Sequence, residues 1–209
     1  MNELVVVLQR EAGNIGRLAV EHLVWLVCIP VALAIVVGVP TGILLTRWER
    51  MSGAVLGTAS VIQTIPSLAL LGFLIPLVGI DKKNAIIALF LYSLLPIIRN
   101  TYTGIKEVDP SLVDAGTGMG MSNLQRLRLV ELPLALPVLM AGIRTATVIC
   151  VGIGTLASLI GAGGLGDLIM RGISMVNNNV ILAGAIPAAL LALLLDFLLG
   201  RLEKAMTTR

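Results

Sequence analysis

The amino-acid sequence predicts an all-α, polytopic membrane protein: five transmembrane helices, N-terminus outside, C-terminus inside. Three observations carry this. First, 57% of the 209 residues are hydrophobic and 13% are charged. A soluble domain of that length has no interior large enough to hide so much apolar surface. Second, the apolar residues fall into five runs near the roughly 20 residues that one helical crossing needs. Those runs and their connections use nearly the whole chain, so residues 1–209 read as a single membrane domain. Third, the basic residues sort by side. The segments 47–52, 99–131 and 200–209 hold nine Lys and Arg, whereas the opposite connections hold five: Arg10, Arg17, Lys82, Lys83 and Arg171. The richer side is the inner one.

Taken in order, residues 1–22 join a short apolar start to Gln9, Arg10, Glu11, Arg17, Glu21 and His22. Gly13 and Gly16 weaken a helix there, and the segment reads as amphipathic and interfacial. The first full apolar run starts only after His22, so no cleavable signal peptide is expected. His22, the one histidine, has no acid or cysteine clustered around it and reads as an interfacial polar residue. The first span covers about 23–45 and contains Pro30 and Pro40, with Trp48 at interface depth. The second, about 53–78, contains Gln63, Thr64, Pro66 and Ser67. Polar groups at membrane depth are costly unless they face protein or water. This kink therefore either lines a path or supplies hydrogen bonds between helices. The third span covers about 85–98, and Arg99, Asn100 and Lys106 form its exit.

The fourth span, about 134–160, is rich in small residues and holds Arg144, some 16 Å beyond Pro133 at the helical rise. Asp196 is the acid inside the last span, about 180–199. The two depths differ by about two turns, so the spacing alone asserts no pair. Between these spans lies Gly161-Ala162-Gly163-Gly164-Leu165-Gly166, a cluster that cannot hold a stable helix. No Gly-Lys-Ser/Thr follows it, so it is not a nucleotide-binding loop. Residues 167–176 then form a short helix, and Asn177 to Asn179 cap the last span. Cys28 and Cys150 sit in apolar runs as packing residues. The net charge of +3 reflects basic loops, with no nucleic-acid patch.

The connection 107–133 is the longest hydrophilic interruption, and it reads as two short helices joined at a glycine. Asp109 caps the first, with Pro110 at the first helical position, where its missing N–H costs nothing. Gly118 and Gly120 break it. Ser122 and Gln125 form a capping box opening the second helix, which runs through Val130 and is ended by Pro133. Helices this short need a partner surface.

Asp114-Ala115-Gly116, then Gly120, then Val130, Leu132 and Pro133 resemble the E-A-A-x3-G-x9-I-x-L-P loop of permease subunits in bacterial ATP-binding-cassette importers. The departures are Asp for Glu, Gly for the second Ala and Val for Ile. The segments 63–77 and 91–105 look most like the permeases for glycine betaine, carnitine and choline. GAGGLG segments similar to 161–166 follow the corresponding span in permeases for osmoprotectants and methionine. The resemblance implies a coupling helix in which Asp114, Ala115, Gly116, Gly120, Met121 and Ser122 contact a cytoplasmic ATPase. It also implies a second permease copy or paralogue, two ATP-binding-cassette subunits and an external solute-binding protein, all at the bacterial cytoplasmic membrane.

The expected activity is transport, without catalysis in this chain: there is no Walker A sequence, so ATP and magnesium belong to the partner. Candidates to line the path are Gln63, Thr64, Ser67 and Asn100, and Gly161, Gly163, Gly164 and Gly166 form a candidate gate. No metal site is expected. A secondary transporter or channel would need coupling ions, a filter or an inverted repeat, and none is visible. An intramembrane enzyme lacks its Ser/His pair or metal set. The expected solute is a quaternary ammonium osmoprotectant, the alternative being methionine or another amino acid.

Overall fold

No strand occurs among residues 2–207, which this computed structural model describes; Arg209, counted above among the inner charges, lies outside them. Helix is the form dictated for an open chain in lipid, where every backbone polar group must find its partner within the segment. Four helical stretches among the described residues are long and apolar enough to cross a membrane. A bent pair makes a fifth if counted as one span.

The first stretch is α1 (Asn2–Glu21), a π-helical turn (His22–Cys28) and α2 (Ile29–Arg47). The interfacial segment expected at 1–22 is thus a helix that runs on into the span, through Gly13 and Gly16. Tertiary contact outweighs the weak propensity: Leu18 is buried against Leu165, Leu168 and Ala188. His22 departs further from expectation. It is fully buried, with Nε2 3.1 Å from the Val151 carbonyl oxygen.

The expected second span is two helices, α3 (Glu49–Thr64) and α4 (Ser67–Val78), bent by 99°. Ile65 and Pro66 are both extended, with ψ of 128° and 136°, because the proline ring drives its predecessor out of the helical region. α5 (Lys82–Lys106) opens on Asp81, whose carboxylate accepts the Lys82 N–H. The buried Asn84 then donates to the carbonyls of Leu71 and Gly79 and ties the end of α4 to α5.

After the connection come α6 (Pro110–Gly118), α7 (Asn123–Arg126), a π-turn (Leu127–Glu131) and α8 (Leu132–Leu156). Pro133 does not end the second loop helix as expected. The helix continues through it, because proline is tolerated in a helix's first turn and the preceding π-turn loosens the ladder. A 3₁₀ turn (Ala157–Ile160) precedes the glycine cluster. α9 (Gly166–Ser174) and α10 (Asn178–Thr207) complete the chain, α10 opening on Asn177, whose side chain accepts the Asn179 and Val180 N–H groups.

α5 lies between α2 and α8. Lipid tails are as apolar as leucine, so close packing rather than water exclusion holds such helices together. Small residues supply the closeness. A Cβ at Gly42 would stand 2.6 Å from Thr101 Cβ, and one at Gly142 2.7 Å from the Pro96 carbonyl oxygen. Arg144 does pair with Asp196, through Nε at 2.6 Å and Nη2 at 2.7 Å, with Glu203 at 3.2 Å. The expected mismatch in depth disappears because α10 continues to Thr207, well past residue 199. Gly200 also lets α10 approach, its missing Cβ lying 3.0 Å from the guanidinium.

Candidate functional site

The connection between α5 and α8 is built from local hydrogen bonds that its sequence spells out. The Asp109 carboxylate accepts the Ser111 N–H at 2.8 Å and caps α6. This bond, seconded by the Ser111 hydroxyl, holds the Asp109 carboxyl below the usual carboxylate range. α6 ends in a Schellman turn: the Gly120 N–H reaches the Thr117 carbonyl and the Met121 N–H reaches the Gly116 carbonyl. Gly120 takes the left-handed position, φ +78°, the conformation that glycine adopts without strain. The capping box follows, with the Ser122 N–H donating to Gln125 Oε1 at 2.8 Å and the Gln125 N–H to Ser122 Oγ at 3.3 Å.

This well-capped loop presents apolar side chains outward. Leu112, Met119, Leu124 and Leu129 are 45%, 70%, 56% and 65% exposed, a pattern that calls for a covering surface. Asp114, Ala115, Gly120 and Ser122 are also exposed, and Met121 is half-buried. Gly116 differs from expectation. It is buried inward, its missing Cβ leaving room for Met121 Sδ, Arg126 and Val130. Its role is to let the two short helices close on each other.

Glu131, which the sequence reading passed over, anchors the loop. It is 3% exposed and accepts from Arg47 Nη2 at 2.5 Å and Arg126 Nε at 3.0 Å. Arg126 also donates to Thr117 Oγ1 at 3.0 Å. The one local signal was an acid five residues after Arg126 and three after Arg128, and of these two Arg126 is the one that pairs with it. Its second partner, Arg47, lies 84 residues away.

Of the candidate path residues, Gln63, Thr64 and Ser67 cluster at the 99° bend. Gln63 donates to the Tyr92 carbonyl at 2.8 Å, and the Tyr92 hydroxyl donates to the Ile65 carbonyl. That exchange satisfies the Ile65 carbonyl at the bend and the Tyr92 carbonyl that Pro96, lacking an N–H, leaves without its helical donor, and it pins the bend to α5. Asn100 is not brought to this cluster. It lies two turns further along α5, donating to the Pro96 carbonyl and packed on Gly142.

From Ala162 to Gly166 the glycine cluster is packed as core, whereas Gly161 is exposed with open space around it. Gly161, Gly163 and Gly164 have φ of +71°, +80° and +79°. A Cβ at Gly163 would meet Glu21 Oε1 at 2.8 Å, one at Gly164 would meet His22 Nδ1 at 2.8 Å, and one at Gly166 the Thr155 carbonyl at 2.1 Å. Leu165 is fully buried. Ion pairs surround this turn: Lys82 with Glu21, and Arg171 with Glu11 at 3.6 Å. Partial burial and the nearby Glu21 raise the Asp167 carboxyl above its usual range.

Residues 34–208 match the family described as binding-protein-dependent transport system inner membrane component. The chain is 47% identical over 209 residues to the glycine betaine/carnitine/choline transport system permease protein OpuCB of Bacillus subtilis, covering 100% of this chain and 96% of that protein. It is 48% identical over 203 residues to the osmoprotectant import permease protein OsmW of Salmonella typhimurium, covering 95% and 94%. Among solved structures, a chain of the MetNI methionine ABC transporter in an inward-facing conformation superposes with a TM-score of 0.83 at 26% identity, covering 92% of this chain and 96% of that one.

Proposed function

This chain belongs to the binding-protein-dependent transport system inner membrane component family, and from that premise we propose how it works and what it carries. It is a multi-pass membrane protein and the permease subunit of an ATP-binding-cassette importer. The solute in our reading is a quaternary ammonium osmoprotectant such as glycine betaine, choline or carnitine, the compounds for which its relatives at 47–48% identity are named. Methionine is the second reading. It rests on the MetNI fold match at 26% identity, the more distant likeness.

The observation that carries the mechanism is the capped loop with outward apolar side chains. It docks in a cleft of a cytoplasmic ATPase through Asp114, Ala115, Gly120, Met121 and Ser122, with Gly116 supporting from beneath. ATP and magnesium are bound by that ATPase. The N-terminus lies outside and the C-terminus inside the bacterial cytoplasmic membrane. A second permease, copy or paralogue, completes the path, and an external binding protein delivers the solute. The glycine turn at 161–166 serves as a gate on the outer side.

Solute selection resides in the binding protein. A quaternary ammonium cannot be neutralised and is best held over aromatic faces. Two such faces in this chain already carry its own cations: Lys82 Nζ stands 5.8 Å over Trp25 and the Arg201 guanidinium 5.7 Å over Phe197. Tyr92 is buried at the bend. Gln63, Thr64 and Ser67 then line a weakly binding passage. The test is to co-purify the permease with an ATPase and titrate the isolated permease with glycine betaine. ATPase capture without micromolar binding is expected. Micromolar binding abolished by Tyr92→Ala or Phe73→Ala would place selection here instead.

A further inference from the structure

We propose that Glu131 is a positioning residue that fastens the ATPase-docking loop to the end of the first span, so that movement of the loop is passed to α2 as well as α8. The inference rests on the loop's coupling role and adds the route by which it acts. Three elements meet at this one buried carboxylate. Glu131 belongs to the π-turn at the foot of α8. Arg47, the last residue of α2, reaches it at 2.5 Å. Arg126, in α7, reaches it at 3.0 Å and holds Thr117 of α6 with its other arm.

The environment makes this join stiff. Glu131 is 4% exposed by side chain and Arg126 17%, so the pair is screened little by water and salt. Arg126 is further wedged against Gly116. With the carboxylate removed, two guanidiniums would face each other with nothing between them, which favours separation of α2 from the loop. The loop's other direct connections to spans are the backbone leaving α5 and the backbone entering α8. The α2 end therefore follows the loop through Arg47.

The test uses the complete importer in proteoliposomes, with permease, ATPase and binding protein, and reads ATP hydrolysed per glycine betaine taken up. Arg47→Gln cuts the α2 arm at a side chain 36% exposed and should fold. Thr117→Val cuts only the α6 arm. Arg47→Gln should raise the ratio about fivefold, the scale of mutations along a coupling route, with the same amount of ATPase co-purifying. Thr117→Val should raise it less, and Arg47→Lys should restore part of the loss. An unchanged ratio in an assembled Arg47→Gln complex overturns the proposal. If that variant does not assemble, Glu131→Gln decides, since it keeps the shape and removes the charge that both arginines share, and a wild-type ratio there overturns it equally. Gly120→Trp serves as the control. If it uncouples while Arg47→Gln does not, the Glu131 fastening alone is wrong. If neither uncouples, the docking role of the loop fails as well.

Discussion

Two glycine-broken connections flank α8, and they use the same residue for opposite ends. At 119–122 a Cβ on Gly120 would meet nothing within 4 Å, and only its φ of +78° demands glycine. Within 161–166, Gly163 and Gly164 are demanded twice, by their positive φ and by walls of Glu21 and His22 within 3 Å of the missing Cβ, while Gly161 at the turn's entry is open. The first turn has open space around it, as the proposed docking requires. The second has its partner within the chain. Open space and filled space around the same backbone therefore separate the turn proposed to dock from the one packed within the chain.

The largest expected effect is at the open turn. Gly120→Trp puts a large side chain where the ATPase is proposed to sit. Uptake should fall at least about 30-fold, the consequence of losing an interface hot spot of 2 kcal/mol or more, while membrane insertion is unaffected. Normal uptake would remove the distinction between the turns, since the open one would then be open for no reason.

Stability should show the reverse order. Gly164→Ala combines overpacking against His22 Nδ1 and Leu26 with a strained φ and should cost about 3 kcal/mol. Gly120→Ala carries strain alone, about 1–2 kcal/mol. Thermal unfolding of the purified variants in detergent reads both, and equal losses would collapse the comparison. A probe of movement sharpens it. Leu165→Cys should resist an impermeant thiol reagent in this conformation, since Leu165 is fully buried. If the turn gates, labelling should appear on ATP binding, and equal labelling in both states would count against a gate.

The exposed turn and its caps were legible in the sequence because their hydrogen bonds are local. Asp109 to Ser111 and Ser122 to Gln125 span two and three residues, within reach of pattern reading. What escaped is long-range: His22 to Val151 is 129 residues apart, Glu131 to Arg47 84 and Arg144 to Asp196 52. Helix boundaries failed where packing outweighed propensity, as at Gly13 and Gly16, or where a π-turn absorbed a proline, as at Pro133. Pro66 announced a kink but not its 99°, which required Ile65 and Pro66 to be extended together and the Gln63–Tyr92 exchange to hold them.

The smallest expected effect is on pH, and its sign should differ between the turns. Asp109 is exposed and its carboxyl is held low by the Ser111 N–H. A carboxyl with a lowered folded-state pKa contributes stability above its unfolded value of about 3.9 and loses it as pH falls through the lowered one. The cap on α6 should therefore be constant from neutral pH down through mild acid. Asp167, beside the packed turn, is raised first by burial and then by Glu21. A raised carboxyl is the opposite case: its contribution is fully present below the unfolded value and disappears as pH rises through the folded one. On moving from neutral pH into mild acid, amide hydrogen exchange corrected for its intrinsic pH dependence should slow around Gly164–Leu168 and stay unchanged at Ser111–Val113. Asp167→Asn, neutral at every pH, should remove the trend at the packed turn and leave the loop as it was. Parallel trends in both segments, or a trend at 164–168 that survives Asp167→Asn, would mean that the two turns do not differ in their electrostatics as they do in their packing.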